Sequence, residues 1–127
     1  MGIFNFGNND TKGTASSKIN WNALTDLQQL NTIVEESKEQ PVVIFKHSTR
    51  CSISRMALKQ FENHYDLHKE VKPYFLDLIE YREVSNEIAE RFQVMHQSPQ
   101  ILLIKDGKSI YNVSHDGIDA ETLKGKL

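Results

Sequence analysis

At 127 residues, with 39% hydrophobic and 25% charged side chains, the chain suits one globular domain and lacks the length for a second core. Fifteen Lys and Arg against 17 Asp and Glu leave a net charge of -2, and no basic stripe runs between aromatics, which argues against nucleic acid as a partner. No apolar run reaches membrane-spanning length, so no membrane role is expected, and the single cysteine cannot form an internal disulfide, which suits a reducing compartment.

Residues 1–18 are rich in Gly, Asn, Thr, Ser and Lys, with Ile3, Phe4 and Phe6 as their apolar cluster. They read as a flexible arm outside a domain over 19–127. The arm lacks the basic and apolar regions of a secretory signal, and Phe6 stands where a myristoylation motif has Ser or Thr. The cytoplasm is the expected location. A short extended piece over 19–24 leads to Thr25, which reads as a helix N-cap with Gln28 completing a capping box. Leu27, Leu30, Ile33 and Val34 recur at helical spacing, which predicts a helix over 26–37. Trp21 reads as packing that helix down.

Pro41 then opens the run Val42, Val43, Ile44 and Phe45, apolar on both faces and therefore a central strand covered by helices on either side. His47, Ser48 and Thr49 read as leaving it. After Cys51, helical spacing puts Ile53, Met56, Ala57, Phe61 and Tyr65 on one side of a helix. Residues 71–78 read as a strand, and 82–92 as a helix with Val84, Ile88, Ala89 and Phe92 inward. A loop through His96 and Pro99 precedes the apolar run 101–104. Asp106 and Gly107 signal a tight turn, with return through Ile110, Tyr111 and Val113. Asp119 reads as the cap of a short last helix. The resulting order is a parallel βαβ half, an antiparallel hairpin and a closing helix. That is the α/β arrangement of a thioredoxin-like fold, with a central mixed sheet flanked by helices.

Open α/β sheets place their chemistry beyond the carboxyl ends of the strands. Cys51 falls there, in the first turn of a helix, where unpaired N–H groups and the helix dipole favour a thiolate, the nucleophile of disulfide exchange. Its neighbours Thr49, Arg50 and Ser52 are polar, which argues against a buried structural cysteine. Ser54 stands where a dithiol redoxin has its second cysteine. Its hydroxyl is placed either to donate to the Cys51 sulfur or to be a plain helical serine. Ser98 and Pro99 stand where such a fold has a cis-proline loop, whose backbone can pair with a substrate beside the sulfur.

The segments Lys46, His47, Ser48, Thr49; Cys51, Ser52, Ile53, Ser54; His96, Gln97, Ser98, Pro99, Gln100; and Ser114, His115 together resemble the monothiol bacilliredoxins, from about residue 24 to the end. That family usually has Thr-Cys-Pro-Ile-Ser, where this chain has Arg50, Cys51, Ser52, Ile53 and Ser54; the nucleophile and the final serine are kept, and a rigid proline is lost. The resemblance implies a thiol–disulfide oxidoreductase acting on S-bacillithiolated cytosolic proteins. Bacillithiol, a small thiol carrying malate, would be co-substrate, a flavin disulfide reductase would regenerate it, and no bound cofactor or metal is implied. Cys51 would take the bacillithiol and Ser54 would attend it. Ser98 and Pro99 would contact substrate. Independently of the family, which commonly has Thr there, the guanidinium of Arg50, closer to Cys51 in sequence than Arg55, is expected to pair the carboxylates.

His64 and His68 share a metal-like spacing but lack further ligands, so a solvent-exposed pair is the reading. His47 reads as a packed loop histidine. His96 and His115 lie near the site by topology alone. Tyr74, Phe75 and Tyr81 read as core. Two other functions stay open. One is an iron–sulfur carrier of the monothiol glutaredoxin type, whose Cys-Gly-Phe-Ser motif Ser52 and Ile53 do not match. The other is a redox-inert binding module.

Overall fold

Six consecutive residues, Val42–His47, form a strand buried at every position, as a run apolar on both faces requires. The structure, a computed structural model, describes residues 19–67 and 70–127. The expected arm over 1–18, and His68 of the proposed histidine pair, lie outside the described residues. In chain order the elements are β1 (Asn22–Ala23), α1 (Gln28–Glu36), β2 (Val42–His47), α2 (Ser52–His64), β3 (Lys72–Asp77), α3 (Arg82–Arg91), β4 (Gln100–Lys105) and β5 (Lys108–Ser114). A 3-10 turn (His115–Gly117) and α4 (Ala120–Lys124) close the chain.

The sheet runs β1-β3-β2-β4-β5. β2 pairs parallel with β3 and antiparallel with β4, which forms the hairpin with β5. Side chains alternate across β2, so two cores form. On one face Val42 and Ile44 pack with Leu30 and Ile33 of α1 and with Val84 and Ile88 of α3. On the other, Val43 and Phe45 pack with Phe61 of α2 and with Ala120 and Leu123 of α4. Each buried Val, Leu, Ile or Phe among these contributes about 1.5–3 kcal/mol, more than any local propensity difference along the strand. The hairpin turn has φ of 53° at Asp106 and 76° at Gly107, the left-handed pair that matches the twist of the flanking strands.

Four expectations are corrected. Helix α1 starts at Gln28, and the reciprocal partner is Gln29: its Oε1 accepts from the Thr25 N–H (2.7 Å) and the Asp26 N–H (3.1 Å), while Asp26 Oδ1 accepts from the Gln28 N–H (2.6 Å). Trp21 packs over the α2 side, against Phe45, Phe61 and Phe75, and its Nε1–H donates to Glu62 (2.8 Å). β2 continues through Lys46 and His47, so His47 is a strand residue. The inward face of α2 runs through Ser54, Ala57, Leu58 and Phe61, and on to Tyr65 just past its end, so Ile53 and Met56 fall on the outer side and are 57% and 71% exposed. Asp119 caps α4 as expected, accepting from the Thr122 N–H (3.3 Å).

Candidate active site

Cys51 occupies the N-cap of α2, four residues beyond the end of β2. Its backbone is extended (φ -106°, ψ 122°), its N–H donates to the Ser48 carbonyl (3.2 Å), and its own carbonyl accepts the Arg55 N–H (3.1 Å), the first bond of the helix. No side chain caps α2. The first-turn N–H groups therefore stay open beside a half-buried sulfur, an electropositive setting for a nucleophile.

Ser54, one turn on, is fully buried. Its hydroxyl oxygen accepts the Ser48 N–H (3.0 Å) and lies 2.8 Å from His47 Nδ1. Of the two sequence readings, the structure thus gives the hydroxyl to His47 and the loop and leaves no bond from it to Cys51 among the described residues. Burial holds His47 below its ordinary pKa of 6.5, the Asp77 carboxylate opposes this, and the Arg55 charge adds to it. The imidazole is therefore neutral at neutral pH. The His47–Ser54–Ser48 link ties β2 to the loop that carries Cys51.

The Ser98–Pro99 bond is cis. The Pro99 carbonyl accepts the His115 N–H (3.0 Å), and the buried Ser98 hydroxyl has no hydrogen-bond partner among the described residues. Arg50 is exposed; the Arg55 guanidinium donates to the Thr49 carbonyl (3.2 Å), bracing the loop before the sulfur. Exposed Met95 stands just ahead of the Pro99 loop.

Sequence reasoning gave no role to Lys46 and Gln100. Lys46 is fully buried; its Nζ lies 2.8 Å from His96 Nδ1 and donates to Gln100 Oε1 (3.2 Å). Burial pulls its pKa from 10.5 down to about 8. The available signal was a lysine directly following four apolar residues of a strand covered on both faces.

One family model and three solved structures resemble this chain. The sequence model of a family described as Monothiol bacilliredoxin BrxC matches residues 22–123. Among solved structures, a thioredoxin-fold protein provisionally assigned as an oxidoreductase aligns at 30% identity with a TM-score of 0.71, over 82% of this chain and 90% of its own. The thioredoxin of Malassezia sympodialis aligns at 19% identity and a TM-score of 0.66, over 86% of this chain and 89% of that one. Oxidised mitochondrial thioredoxin 3 of Saccharomyces cerevisiae aligns at 18% and 0.65, over 83% and 91%. The last two speak for the fold alone.

Proposed function

This chain belongs to the monothiol bacilliredoxin family, and from that premise we propose that Cys51 removes bacillithiol from mixed disulfides on cytosolic proteins. The observation that carries the reading is a lone cysteine at an uncapped helix start, with a buried serine, already engaged elsewhere, in the position of a second thiol.

The Cys51 thiolate attacks the bacillithiol sulfur of the mixed disulfide. One S–S bond forms and one breaks, and the target leaves as a thiolate that takes up a proton. A bacillithiol thiolate then attacks the bacillithiol sulfur on Cys51, which releases the Cys51 thiolate and the disulfide of bacillithiol. A flavin disulfide reductase supplies the electrons that return this disulfide to thiol. The protein itself needs no bound cofactor in this scheme. Arg50 and the Ser98–Pro99 loop contact the incoming disulfide.

Reduced protein offered equal amounts of a bacillithiolated and a glutathionylated substrate tests this by intact mass. The bacillithiol adduct on Cys51 is the expected product. A predominant glutathione adduct would overturn the choice of thiol.

A further inference from the structure

Behind the Pro99 loop lies a cluster that exchange at Cys51 does not use. Lys46 sits on the α1/α3 side of β2, fully buried, and makes no salt bridge among the described residues. Even with its pKa drawn down to about 8, the ammonium is the main form at neutral pH. An ammonium has donors alone, so His96 Nδ1, 2.8 Å away, accepts, and the ring proton resides on Nε2. His96 is exposed, and Nε2 has no partner among the described residues. Partial desolvation, then the charges of Lys46 and Arg82, lower the His96 pKa from 6.5, so the neutral ring prevails at neutral pH. Gln100 braces the same loop: its Oε1 also accepts the Gln97 N–H (3.3 Å) and its Nε2 donates to the Met95 carbonyl (3.1 Å).

The product is a fixed N–H donor at the surface, backed by the charges of Lys46 and Arg82, neither of which has an ion-pair partner among the described residues. It lies at the right edge of the sheet. β2 and β3 are parallel, so Lys46 and the start of α3 at Arg82 share the carboxyl edge from which Cys51 follows. Antiparallel β4 begins at that edge with Gln100, opposite Lys46.

We infer that His96 and Arg82 form a subsite for a carboxylate of the small thiol, with Lys46 as the positioning residue that fixes the His96 donor. The subsite rests on the proposed function for the identity of that thiol, since malate supplies the carboxylate. Its chemistry applies to any small disulfide that carries one.

The test compares the rates at which Cys51 reacts with a dicarboxylate aromatic disulfide, 5,5′-dithiobis(2-nitrobenzoate), and with neutral 4,4′-dithiodipyridine. His96→Asn and Arg82→Gln should each lower the ratio of the two rates about 3–10-fold, as one exposed charge-assisted hydrogen bond allows, and less in high salt. Lys105→Gln, the same charge loss at the opposite edge, should leave the ratio unchanged. Lys46→Met should lower the ratio, and the ¹⁵N spectrum of His96 should change from one Nε2–H tautomer to a mixture, a readout that simple loosening of the fold does not give. An unchanged ratio in both His96→Asn and Arg82→Gln would overturn the subsite. Should Lys46→Met unfold, those two surface variants decide alone. Loss of the ratio in a protein that refuses bacillithiolated substrate would keep the subsite and overturn the thiol; acceptance of that substrate with the ratio unmoved by either variant would do the reverse.

Discussion

Lys46 and His47 are neighbours in one strand, both buried, both with pKa values lowered first by burial, and they serve opposite faces of the sheet. His47 is neutral at neutral pH and spends its Nδ1 on Ser54, on the face that carries α2 and the sulfur. Lys46 keeps its charge and spends it on His96 and Gln100, on the face that carries the loop before Pro99. One strand end thus positions the Cys51 loop through a neutral link and the opposing loop through a buried cation. Burying a neutral, satisfied polar group costs little; burying a charge costs several kcal/mol and calls for a use.

The largest expected effect separates the two faces outright. Cys51→Ser should abolish transfer, read as the absence of any bacillithiol adduct by intact mass. Substitutions on the Lys46 face should slow transfer and not abolish it; a dead Lys46→Met that remains folded would break the comparison.

Next comes the cost of the buried charge. The folded pKa of Lys46 lies near 8 against 10.5 when solvated, so between these values the unfolded chain binds more protons and stability rises with pH. The full penalty, present below pH 8, is about 3 kcal/mol at about 1.4 kcal/mol per pKa unit. Above pH 10 the buried phenols of Tyr65 and Tyr74, whose pKa values are raised, pull the other way by ionising first in the unfolded chain. Denaturant melts of wild type against Lys46→Met remove that contribution. The variant should be the more stable by about 1–3 kcal/mol at pH 7, since Gln100 retains Gln97 and His96 is exposed, and the gap should close toward pH 10. A variant less stable at pH 7 would contradict the reading of Lys46 as a charge held at a cost.

On the His47 face, Ser54→Ala leaves the Ser48 N–H and the His47 ring without their partner. It should cost about 1–3 kcal/mol of stability, while transfer stays within a few-fold, because the hydroxyl serves the loop and not the sulfur. Loss of transfer without loss of stability would return Ser54 to the sulfur. The pH dependence has the same sense as that of Lys46 and falls in a lower pH window. With the folded pKa of His47 below 6.5, stability is complete above that pH and falls as pH drops through it, when the unfolded chain protonates first. His47→Gln should flatten that acid limb in thermal melts. The smallest effect expected is that of Arg50→Ala, about two- to three-fold on bacillithiolated substrate at low salt, as befits an exposed charge.

The fold was legible because its signals were strong ones: a run apolar on both faces for β2, the Asp106–Gly107 turn, the Asp119 cap, and Cys51 after a strand. Trp21 misled because an aromatic between two elements has no direction in sequence, and β3 and α2 claimed it. Ile53 and Met56 fit a helical period, yet the face that meets the core is the one through Ser54, Ala57, Leu58 and Phe61. Within the site, Cys51 and Pro99 could be read from position alone. Lys46 and Gln100 could not be assigned to each other, because they lie 54 residues apart and meet through β-pairing that only the register fixes.

The central claim is that one sulfur does the exchange and nothing in the chain resolves it. Reduced protein mixed with one equivalent of bacillithiolated substrate, freed of other thiols and followed by intact mass, tests it most directly. The account predicts a bacillithiol adduct on Cys51 that persists until a second thiol is added and then disappears. Return of wild-type protein to the free thiol with no thiol added would contradict it.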